Sequence, residues 1–212
     1  MNYNYAPTSF SVSDDVPASR RVSDSVEGQL LGIATRPAIK APMNALHAAR
    51  ITTAGGVESD ARGKPGPRQV TVLTSRGWDA AWLDLGASCL PWTARRANLL
   101  IDGVELRGKV GYELRIGTAI LVITGETKPC GRMDKAHAGL KHALQPDWRG
   151  GVCCRVIRCG DVAVGSHVSL RRNLLRQFGW VVYLRCRRLY KAARPLAGRV
   201  ARRLGVKRSS VQ

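Results

Sequence analysis

The sequence predicts a mainly β protein, a closed or nearly closed barrel with a few short helices and a basic helical C-terminal extension. Three observations lead there. Twenty-two glycines beside only 6% aromatic residues imply many turns. The apolar runs are short, and Gly and Pro separate them. Nowhere do strands alternate with long helices, as a doubly wound parallel sheet requires. A length of 212 residues suits one domain of about 130 to 150 residues with flanking segments.

Residues 1–27 are rich in Ser, Asp and Pro and bury too little apolar surface to order themselves, so they read as a disordered leader. The barrel is expected over 28–170. It opens with Leu30-Leu31-Gly32-Ile33, followed by Pro37, Pro42 and a Gly55-Gly56 turn. Residues 69–74 carry β-branched side chains at strand length. A helix follows, with Ser75 as its expected N-cap, Trp78, Trp82 and Leu85 on one face as core, and Gly86 as its stop. Further strands are expected at 97–101, 114–116, 119–124, 152–157 and 168–170. Residues 171–194 fit a basic amphipathic helix with an apolar side of Leu174, Leu175, Phe178, Val181, Val182 and Leu189, broken by Pro195. The apolar run 178–184 is far short of the ~20 residues that span a bilayer.

The net charge of +19 is uneven. Residues 171–212 hold 13 Lys and Arg and no acid, 1–27 hold two Arg against four acids, and 28–170 carry +8. Charge of that kind is a property of the tail rather than of the barrel. The first residues lack a basic n-region and an apolar core, and polar Ser23 and Asp24 follow the Arg20-Arg21 pair, so no export signal is read and a cytoplasmic location is expected. Six reduced cysteines fit that setting better than a disulfide framework. Cys153 and Cys154, adjacent in a strand, should face opposite ways, and no C-x-x-C spacing points to zinc. His137 and His142 are spaced off a common helical face and read as surface residues.

The sharpest local feature is Lys128-Pro129-Cys130-Gly131-Arg132-Met133, just after a strand. Pro and Gly shape a turn that presents the cysteine. Lys128 and Arg132 flank it, and positive charge favours the thiolate, the form that attacks electrophiles and binds metals. Arg62, Lys64 and Arg68 lie in a Gly/Pro-rich loop able to cradle an anion.

Taken with Gly32-Ile33, Arg36-Pro37, Lys40, Pro42-Met43, Gly55-Gly56-Val57-Glu58-Ser59-Asp60, Arg68-Gln69-Val70, Arg95-Arg96-Ala97-Asn98, Arg115-Ile116-Gly117, Gly150-Gly151-Val152 and Val164-Gly165, this block resembles the MOSC domain family, named for the C-terminal part of molybdenum cofactor sulfurases. The resemblance runs over about 28–170. It implies a MOSC-type β-barrel with a cleft in which Cys130 is metal ligand or persulfide carrier. Arg96 and Asn98 match the family's contact to the molybdenum cofactor (molybdopterin), whose terminal phosphate a guanidinium grips through two hydrogen bonds. Arg95, Lys128, Arg132, Asp60 and Arg68 complete the expected cofactor-binding set. Ser59 and Ser166 depart from the family's usual Gly and Asp.

The implied activity is reduction of N-oxygenated compounds or sulfur transfer for the cofactor. The sequence has no flavin fingerprint or four-cysteine iron–sulfur pattern, so electrons or sulfur are expected from a donor protein. A competing reading makes the barrel a scaffold and residues 171–212 the working part. Such a tail can lie on an anionic membrane surface, bind nucleic-acid phosphates, or pack on the barrel.

Overall fold

A computed structural model describes residues 26–173. Most of the basic extension and residues 1–25 of the expected leader fall outside them, whereas the leader's last two residues, Val26 and Glu27, belong to the first strand, paired with Leu170 and Ser169. The chain runs β1 (Val26–Thr35), β2 (Asn44–Leu46), β3 (Ala48–Thr52), β4 (Gly56–Val57), β5 (Val70–Thr74) and α1 (Ser75–Leu85), then a 3-10 helix (Trp92–Arg95) and β6 (Leu99–Asp102). It continues through β7 (Glu113–Ile116), β8 (Ala119–Glu126), α2 (Arg132–Ala136), α3 (Leu140–Ala143), β9 (Val152–Arg158), β10 (Gly160–Ala163) and β11 (His167–Arg171).

Seven strands close a barrel in the order β1, β6, β5, β9, β8, β7, β11, and the β11 to β1 pairing seals it. Only β5 and β6 run parallel. The others pair antiparallel, as expected where short turns link neighbours. Strand β2 extends β1 at one edge, and β10, β3 and β4 form a small second sheet.

Alternation along the strands sorts the apolar side chains into two cores. Val70, Val72, Leu99, Ile101, Leu121, Ile123, Val152 and Cys154 fill the barrel. Leu73 and Leu100 point outward, where they meet Trp78, Trp82, Met133 and Leu140 from the helices. Each such large side chain contributes roughly 1.5–3 kcal/mol on burial. Cys153 and Cys154 face opposite ways, as the spacing requires.

Helix α1 follows its expected stripe, with Trp78 and Trp82 buried and Leu85 packed at the edge. Its N-cap is Thr74 rather than Ser75. The Thr74 hydroxyl accepts from the Gly77 N–H at 3.2 Å, while the Ser75 hydroxyl is drawn away to Asp102 Oδ1 at 2.5 Å. Gly86 ends the helix in the left-handed conformation (φ 59°). The strand expected at 97–101 begins only at Leu99, because Arg96 closes the 3-10 helix at φ 64°. His142 is exposed, but His137 is half-buried, edge-on to Trp82 with ring centroids 5.1 Å apart. Among the described residues no helix is long and apolar enough to cross a membrane.

Two irregularities aim the chain at one side of the barrel. A bulge interrupts β1 against β6 between Leu30 and Gly32, where a side chain on Gly32 would come within 2.7 Å of the Trp92 ring. A second lies in β8 between Ile123 and Gly125, just before the turn that carries Cys130.

Candidate functional site

On that side a cavity of about 320 Å³ opens between six segments. The end of β1 supplies Arg36, the turn after β4 supplies Arg62, and the approach to β5 supplies Arg68 and Gln69. The 3-10 helix and its cap deliver Arg95 and Arg96, with Asn98 two residues on. The turn after β8 brings Thr127, Lys128 and Cys130, and α2 begins with Arg132 and Met133.

Among the described residues seven cationic side chains thus line one cavity, and no carboxylate does. The thiol of Cys130 stands exposed at its mouth, with Arg62, Arg68, Lys128 and Arg132 exposed around it. Deeper in, Arg36 and Arg95 are 6% and 7% exposed.

Asp60 stands behind this wall with its side chain 2% exposed. One oxygen lies 3.2 Å from Arg36 Nε and also accepts from the Arg62 backbone N–H at 2.8 Å. The other receives Asn98 Nδ2 in a very short hydrogen bond. The Arg36 contact is an ion pair by distance, although its N–H is not aligned for a hydrogen bond. Asp60 therefore orders the turn and supplies the nearest counter-charge to Arg36.

Asn98 is fully engaged. Its carbonyl accepts from Thr71 N at 3.1 Å and Thr71 Oγ1 at 2.8 Å, and its amide donates to Ala34 O at 3.3 Å as well as to Asp60. This side chain joins β1, β5 and the Asp60 turn, leaving no free edge towards the cavity.

The two adjacent arginines differ. Arg95 donates from Nε to Gly150 O at 3.0 Å and from Nη2 to Thr127 O at 2.7 Å. Arg96 donates Nη1 to Ala41 O at 2.8 Å, whereas its Nε and Nη2 are buried with no partner among the described residues. Burial lowers the affinity of both guanidiniums for their protons. For Arg96, nearby Arg36, Arg132 and Arg62 push the same way against Asp60, and for Arg95 the sulfurs of Cys130 and Cys153 oppose the shift. Orphaned buried donors are costly in a folded protein, and an anion entering the cavity would satisfy them.

Cys153 lies beneath the Cys130 turn, its sulfur 3.0 Å from Thr127 Oγ1, while Cys154, inside the barrel, has its thiol pushed up by burial. At Ser59 the backbone takes φ 63°, which explains why glycine suits that position, and Ser166 accepts the Ala163 N–H at 2.9 Å in its turn.

The structure brings Cys130, Arg95, Arg96, Asn98, Lys128, Arg132 and Arg68 to the cavity wall, with Asp60 just behind. Sequence reasoning did not assign Arg36 or Thr127 to the site. A basic residue at a strand end, immediately before Pro37, was the available signal for Arg36.

No curated protein sequence matches the chain. Solved structures do. The YuaD protein from Bacillus subtilis superposes with a TM-score of 0.61 at 16% identity, covering 70% of this chain and 98% of that one. YiiM from Geobacillus stearothermophilus gives 0.56 at 16%, over 68% and 75% of the two chains. YiiM from Escherichia coli gives 0.53 at 15%, over 70% and 74%. At such identities these likenesses establish the barrel fold. A family model for the MOSC domain matches residues 60–169, more than half of the sequence and most of the cavity wall, and on that match the chain belongs to the MOSC domain family.

Proposed function

We propose that the cavity binds the molybdenum cofactor, with Cys130 as the protein ligand to the metal. The observation that carries this reading is the pairing of two features on one cavity: an exposed thiol at the mouth and the buried, unpartnered Nε and Nη2 of Arg96 within. An anionic group seated there would take up both donors at once, and a guanidinium offers them in the planar geometry a phosphate or carboxylate needs. Lys128, Arg132, Arg62 and Arg68 draw the anion in and shield its charge. Asp60 and Asn98 hold the wall in register from behind.

When bound, the cofactor would supply the two-electron redox chemistry of molybdenum. The chain itself contributes the thiolate, the anion-binding wall and a partly enclosed cavity. Reduction of an N-oxygenated compound, with electrons from a donor protein, is the activity we assign. Sulfur transfer through a Cys130 persulfide is the second reading, favoured by the exposure of the thiol to a partner.

The test is molybdenum and pterin analysis of protein purified from cofactor-producing cells, wild type beside Cys130→Ser. Near-stoichiometric molybdenum in the wild type and its loss in the variant support the ligand assignment. Absence of both molybdenum and pterin from the wild type overturns it, and a persulfide on Cys130 in such metal-free protein selects sulfur transfer instead.

A further inference from the structure

Arg95 and Arg96 are neighbours in sequence and opposites in use. Arg96 has two buried donors that no described residue satisfies. Arg95, 7% exposed, directs Nε and Nη2 to two backbone carbonyls that lie in different loops. Thr127 opens the turn to Cys130, and Gly150 ends the segment that enters β9. The loops also meet directly, through the Thr127 N–H and Gly151 O at 2.8 Å. Space at this junction is tight. A methyl group on Gly150 would lie 2.6 Å from Thr127 O, 3.1 Å from Arg95 Nη2 and 3.4 Å from Pro129 Cδ.

We infer that Arg95 is a positioning residue, a clamp that fixes the Cys130 turn to the 144–151 segment. Only a guanidinium suits this place. It presents donors from two separate nitrogens held in one rigid plane, whereas an ammonium offers all its donors from a single point. Burying such a group is costly, and the cost is offset when its donors are satisfied by hydrogen bonds. Thr127, once tied down, sets where Cys130 stands three residues later, between the exposed Lys128 and Arg132. The chemical purpose of that placement rests on the cofactor reading above, whereas the clamp itself does not.

Amide hydrogen exchange on the full-length protein, read by peptide, tests the inference. In Arg95→Lys, exchange should rise about ten-fold in peptides covering 126–131 and 148–151, while β1, β6 and β11 stay at wild-type rates. Gly150→Ala displaces the same contacts with the charge retained and should loosen the same two segments. In Arg95→Ala, millimolar guanidinium should restore protection and methylammonium should not, a distinction that simple loss of packing would not produce. Unchanged exchange in both segments, a rise spread evenly around the barrel, or equal rescue by the two cations would overturn the clamp. Molybdenum and pterin measured on the same samples separate the two ideas. Loosening without metal in the wild type upholds the clamp against the cofactor reading, and metal binding with unchanged exchange in Arg95→Lys does the reverse.

Discussion

A second, larger cavity of about 700 Å³ lies on the other side of the 144–151 segment, and its contrast with the Cys130 cavity is instructive. Its wall carries three arginines and three carboxylates. There Arg107 pairs with Asp147 at 2.6 Å, Asp102 accepts from Ser75, and Glu105 accepts from the Arg107 N–H at 2.8 Å. Arg149 reaches out of the cavity to Asp84. The smaller cavity has seven cations and no lining carboxylate. Volume alone would choose the larger cavity, whereas the function proposed above rests on the smaller. Uncompensated charge beside an exposed thiol is what singles out the smaller one, because a protein tolerates such repulsion only at a cost to its own stability.

If the charge in the small cavity is uncompensated by design, removing the carboxylate behind it should be severe. Asp60→Ala should lower unfolding free energy by about 3–5 kcal/mol, since it strands the charge of the buried Arg36 guanidinium and removes one of the two acceptors of the Asn98 amide. Urea unfolding would measure it, and a loss below 1 kcal/mol would break the contrast. Next in size is Arg96→Ala. It should weaken binding of inorganic phosphate, used as a probe, by roughly 1.5–3 kcal/mol, read by calorimetry beside Arg76→Ala in the larger cavity, which should change nothing. The paired cavity should be forgiving. Asp147→Asn keeps a residue that tolerates φ 50° and removes an exposed ion pair, so it should cost under about 1 kcal/mol.

The smallest effect is one of pH. The exposed Cys159 accepts the Thr53 N–H at 3.3 Å, which holds its thiol below the ordinary range, whereas burial pushes Cys89 up. A depressed value means more thiolate at a given pH. Alkylation followed by mass spectrometry should therefore find Cys159 modified several-fold faster than Cys89 near neutral pH, its rate levelling off at lower pH. Thr53→Ala, which removes only the hydroxyl, should narrow that gap slightly.

Much of this arrangement was readable beforehand, and the parts that were not share a cause. Strands such as β5 and β8 announce themselves through β-branched runs, and α1 through its tryptophan spacing and Gly86. Strands β2, β3, β4 and β10 are short and carry small or polar residues, so tertiary pairing rather than local pattern makes them strands. The parallel contact of β5 with β6 is likewise invisible without the α1 crossover in place. At the site, residue identities converged on one cavity, but the division of labour did not show. Nothing in Arg95-Arg96 or in Asn98 tells which side chain is spent on backbone and which is left over. That depends on carbonyls contributed by Ala41, Thr127 and Gly150, between 32 and 55 residues away in the chain.

The closing register of the barrel, with Val26 opposite Leu170, has a practical corollary. Entry and exit of the barrel are side by side, so residues 26–171 nearly form a ring already. A short linker between those ends, with new termini cut at the Gly117 turn between β7 and β8, should give a circular permutant that still folds.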